Sequence, residues 1–146
     1  MPGTTSSIAK IEPALDPIER TDASLQAYAG LLNRLRFAAA ACRASARVDL
    51  FRACALLSTE KDVAVQAHVD ALVRTLSQAI GRRPVFHAPG TREMSADELW
   101  LLRLIERTEV GDSASAAFLA ARKAAPEHRR SLRFLAHGVA TAAAGR

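Results

Sequence analysis

Four histidines, two cysteines and fifteen carboxylates are the groups in this 146-residue chain suited to acid–base, nucleophilic or metal chemistry. Their spacing supports none of it. His68, His87, His128 and His137 form no His-Glu-x-x-His motif and none of the Glu-x-x-His pairings that a di-iron bundle needs. A phosphotransfer site needs an exposed helical histidine followed by a lysine and glycine pattern, which neither His68 nor His137 has. Cys42 and Cys54 belong to no Cys-x-x-Cys or Cys-x-x-His pair. On one continuous helix they would stand about 18 Å apart at 1.5 Å per residue, beyond disulfide reach. Buried thiols are the expectation. Ser113 and Ser115 lack a Gly-x-Ser-x-Gly setting. Gly81, Gly90 and Gly111 are isolated and read as helix ends or turns, with no phosphate-cradling run. The adjacent carboxylates Asp97 and Glu98 have a simpler role, complementing the positive end of a helix. No cofactor or metal is implied, and catalysis finds no residue constellation to rest on.

Charge is the more informative feature. Seventeen arginines face three lysines, and the formal charge is +5. Arginine's planar fork suits carboxylate and phosphate partners. The basic residues are segregated. Residues 22–59 carry Arg34, Arg36, Arg43, Arg47 and Arg52 against Asp22 and Asp49. Residues 126–146 carry Arg129, Arg130, Arg133 and Arg146 against Glu127, and residues 81–94 carry Arg82, Arg83 and Arg92 against Glu93. Such segregation can build an anion-binding face, although solvated helix faces give the same pattern.

The elements that must position these residues are helical. Tyr28, Leu32, Leu35, Ala39 and Cys42 recur in steps of four and three, one helical stripe opened by Asp22 or Ser24 as cap. The pattern resumes at Leu50, Cys54 and Leu57, so residues 22–57 form one long helix or two, with a break near Ser45–Asp49 slightly favoured. Val65, Val69, Leu72, Leu76 and Ile80 form the cleanest stripe, ended by Gly81. Residues 81–94 contain Pro84, Pro89 and Gly90 and read as a loop. Ser95 and Glu98 then make a capping box for a helix apolar around much of its circumference, Leu99 to Ile105. Gly111 ends it, Asp112 or Ser113 opens a short helix, and Pro126 fits the first turn of the last one. Leu132, Leu135 and Val139 share its stripe, while the last fifteen residues read as fraying alanine and glycine. The fold class is therefore all-α, an irregular bundle of five to six helices spanning residues 22–146 as one domain, behind a flexible N-terminal arm at 1–21. Ile8, Ile11, Leu15 and Ile18 of that arm are available to dock on the body or on a partner.

Two functions fit this frame. In the first, the chain is a non-catalytic adaptor or regulator that binds another protein through its helix faces. Arg82, Arg83, Phe86, His87 and Trp100 would make the contacts, because aromatics and arginine concentrate at binding hot spots; the competing role for Trp100 is core anchor. In the second, the chain is a nucleic-acid-binding regulator using Arg34, Arg43, Arg47, Arg129, Arg130 and Arg133. Residues 113–124 are too apolar and alanine-rich to read base edges. A homo-oligomer is compatible with either. No basic start precedes an apolar run and no charge-free stretch of eighteen apolar residues occurs, so a cytoplasmic protein without a membrane span is expected.

Overall fold

The computed structural model describes residues 25–44 and 61–144. A short 3-10 turn, Gln26–Tyr28, leads into α1 (Ala29–Ala44). α2 (Lys61–Ile80), α3 (Ala96–Glu109), α4 (Ser113–Lys123) and α5 (Pro126–Ala144) follow. The described residues form an all-α, irregular bundle of five helices. The proposed caps at Asp22 and Ser24, the junction near Ser45–Asp49 and the arm at 1–21 lie outside the described residues. No described helix is long and apolar enough to cross a membrane.

Helix boundaries follow local chemistry. Ser95 Oγ accepts the Glu98 N–H at 3.0 Å while the Glu98 carboxylate accepts the Ser95 N–H at 2.9 Å, closing the capping box. Gly111 adopts φ +79°, where a side chain would be strained, and turns the chain into α4. There the Asp112 carboxylate caps the helix through the Ser115 N–H at 3.1 Å. Pro126 opens α5, where its missing N–H leaves no intrahelical bond unmade.

Packing orders the helices around α2 and α5, which share the largest contact; α1 lies on α2, and α3 and α4 lie on α5 and on each other. Val65, Val69, Leu72 and Leu76 of α2 meet Leu132, Ala136, Val139 and Ala140 of α5 in one buried cluster. α3 is central: Trp100, Leu101, Leu102, Leu104 and Ile105 are all buried. On α1 the buried face is rotated from the expected stripe, taking in Leu31, Arg36 and Ala38 beside Leu32 and Leu35, with Tyr28, Ala39 and Cys42 only partly covered.

The expected fraying of the last fifteen residues is corrected. α5 runs to Ala144, with Val139, Ala140 and Ala143 buried. Alanine is the strongest helix former, and small side chains permit close approach. At Gly138 the approach is closest, since a Cβ there would fall 2.2 Å from His68 Cδ2 on α2.

Candidate functional site

The residues expected to meet a protein partner lie around the loop between α2 and α3, and the fold employs most of them internally. Arg82 donates to both carboxylate oxygens of Asp97, at 2.7 and 2.6 Å. Asp97 also accepts the Val85 N–H at 2.7 Å and Lys123 Nζ at 2.9 Å. The Arg82 guanidinium, aided by that N–H and by Lys123, holds the Asp97 carboxyl far below the usual carboxylate range against the opposing effect of burial. Trp100 is 8% exposed and its indole N–H donates to the Leu119 carbonyl at 2.8 Å. Lys123 Nζ stands 5.4 Å from the centroid of its ring. Phe86 is half-buried against the core, and the His87 N–H donates to Glu98. Arg83 is exposed.

Sequence reasoning missed the partner of Arg36. This arginine is 2% exposed and Glu98 is fully buried. Arg36 Nε and Nη2 reach the two Glu98 carboxylate oxygens at 2.7 and 3.1 Å, while its remaining donors go to the carbonyls of Thr91 and Glu93. Burial works against the Glu98 charge, but Arg36 and the N–H groups of Ser95 and His87 outweigh it and lower the carboxyl's pKa. With Asn33 Oδ1 accepting the Gly90 N–H at 3.1 Å, α1 clasps the loop from above. The available signal was Arg36 itself, a charge adjoining the apolar stripe at Leu35 and Ala39.

The second set of arginines divides. Arg34 lies 3.6 Å from Asp62 in an exposed pair, Arg43 sits on α1, and Arg47 is outside the described residues. Arg129, Arg130 and Arg133 line one open groove of about 720 Å³ between α4 and α5, with Thr108, Gly111, Ser113, Ala116, Pro126, Phe134 and His137. Arg129 donates to the carbonyls of Ala124 and Ala121 and caps the C-terminus of α4. Among the described residues Arg133 reaches only a neutral hydroxyl, Ser113 Oγ at 3.1 Å. Arg130 is exposed and has no hydrogen-bond or ion-pair partner among the described residues. Phe134 is 69% exposed. Arg130, Arg133, Phe134 and His137 follow the i, i+3, i+4, i+7 rule and share one face of α5.

No family model, curated protein or solved structure matches this chain. Among the described residues no cluster of histidine, cysteine and carboxylate could hold a metal. The groove offers cations, an aromatic face and apolar walls, which are recognition groups.

Proposed function

We propose that this protein is a non-catalytic helical adaptor or regulator that binds another protein through the α4–α5 groove. The observation that carries the reading is the constellation of Arg130, Arg133 and Phe134 on the wall of that groove, with Arg130 and Phe134 exposed and Arg133 half-buried. Arginine and aromatics are the side chains that concentrate binding energy. A volume of about 720 Å³ falls in the range of pockets that seat whole side-chain groups. Arg82 and Trp100, the anchors anticipated from sequence, are already engaged by Asp97 and Leu119, so the α5 face is the better contact surface.

The nucleic-acid reading keeps one observation in its favour: three arginines and an aromatic share the groove. Its weakness is quantitative. Within the groove Arg129 is committed to α4, leaving two guanidinium groups there for phosphate. Two phosphate contacts give a log–log salt slope of only about −1.4 to −1.8, a small electrostatic contribution.

The test is affinity capture from native lysate after nuclease treatment, comparing the wild type with the triple variant Arg130→Glu, Arg133→Glu, Phe134→Ala. A protein retained by the wild type and lost by the variant is the expected result. Release of the partner by nuclease would favour nucleic acid, and equal retention by both proteins would remove the groove from either reading.

A further inference from the structure

We infer that the α4–α5 groove is a docking site for the chain's own N-terminal segment, residues 8–22, which competes there with the external partner. This deepens the adaptor reading and rests on the groove being a docking surface. Three observations meet at it.

The first is charge. The groove presents Arg130 with no described partner and Arg133 whose described partner is a hydroxyl, beside the N-terminus of α4. A guanidinium next to the positive end of a helix gains nothing from the helix dipole. Asp112 stands near that end, but its carboxylate already takes the Ser115 N–H and lies 3.6 Å from Arg107. The groove therefore suits an anionic occupant. Residues 8–22 carry Glu12, Asp16, Glu19 and Asp22 against Lys10 and Arg20.

The second is apolar complementarity. Ala116, Pro126 and the exposed Phe134 ring give the groove apolar wall between its cations. Ile8, Ile11, Leu15 and Ile18 are interleaved with the segment's carboxylates. The third is position. The described chain begins at Leu25, three residues before Tyr28, whose hydroxyl donates to the Glu109 carboxylate. Glu109 lies next to Thr108 and two residues from Gly111, both of which line the groove. Residues 18–25 can span up to about 24 Å, and the face from Arg130 to His137 is about 10 Å long. The segment is delivered beside the groove with chain to spare.

The experiment uses the full-length chain and nuclear magnetic resonance. In one variant Glu12, Asp16 and Glu19 are changed to lysine; in a second, Arg130 and Arg133 are changed to glutamate; a third combines both. Arm reversal is expected to move the amide signals of Gly111, Ser113 and Arg130–His137, and groove reversal to raise the fast mobility of residues 8–22. The combined variant, with opposite charges exchanged, restores both. Capture of the external partner by the arm-reversed chain should rise about tenfold if the segment occupies the groove nine-tenths of the time.

Unchanged groove signals after arm reversal overturn the inference. Partner capture that still depends on Arg130 and Arg133 would then leave the adaptor reading standing, so the two fail separately. Groove shifts that grow with protein concentration assign the occupant to a second copy and also overturn the intramolecular contact. If groove reversal prevents folding, arm reversal alone still decides.

Discussion

A guanidinium taken out of water costs several kcal/mol unless a carboxylate and good hydrogen bonds replace its hydration, and Arg36 has both. Four bonds satisfy it: two to Glu98 and two to the loop carbonyls of Thr91 and Glu93. Replacing Arg36 with methionine leaves the Glu98 charge buried without a counter-charge. The expected loss is about 3–5 kcal/mol, a large share of ordinary domain stability. Urea unfolding followed by circular dichroism measures it, and adding Glu98→Gln to Arg36→Met should recover part of it. Acid should act on the same groups. Asp97 and Glu98 have carboxyl pKa values held below their ordinary ones in the folded protein. Their contribution is therefore fully present above the unfolded carboxylate pKa and is lost as pH falls through the lower folded values. Urea midpoints should hold steady from pH 7 to about 5 and fall below about pH 4. In an Asp97→Asn variant that acid-dependent fall should be smaller. None of these pairings was readable from the chain. Asp97 and Glu98 satisfy the helix N-terminus rule whether or not a cation meets them, so the local explanation concealed the tertiary one.

At the scale of elements, the helices were legible because their signals are local. Ser95 and Glu98, Gly81, Gly111 and Pro126 each act on backbone within one turn, and each boundary falls where that chemistry places it. The end of α5 was misread because alanine carries little burial signal of its own. Its packing depends on what lies opposite, and opposite Gly138 lies the His68 ring, its Nδ1 2.7 Å from the Ala64 carbonyl. Gly138→Ala tests that contact. Alanine gains about 1 kcal/mol of helix propensity over glycine, whereas overpacking costs about 1–3 kcal/mol. With the ring tethered, the net effect should be destabilising. In a His68→Ala background the clash is gone, and the same substitution should stabilise by roughly 0.5–1 kcal/mol. Thermal unfolding of the four proteins completes the cycle; a stabilising Gly138→Ala in the wild-type background would show that α2 and α5 are less tightly apposed.

Across the whole molecule, the positive charges serve separate purposes. Arg36, Arg82 and Lys123 bind the loop and α3 together through Glu98 and Asp97. Arg130 and Arg133 point into an open groove and bind none of the described carboxylates. Charge reversal should separate the two groups cleanly. Arg130→Glu with Arg133→Glu should change stability by no more than about 0.5 kcal/mol, as surface substitutions do, while abolishing partner capture. Equivalent losses of stability at both clusters, measured by urea unfolding, would argue that the groove arginines hold the fold. Sequence alone determined the all-helical class, the helix boundaries at Gly81, Ser95, Gly111 and Pro126, and the existence of segregated basic charge, because each depends on residues a few positions apart. Only tertiary structure decided which arginines were already taken. Arg36 and Glu98 are 62 positions apart, and Lys123 and Asp97 are 26 apart. Pairing across such distances is set by how helices stack, which no local pattern encodes.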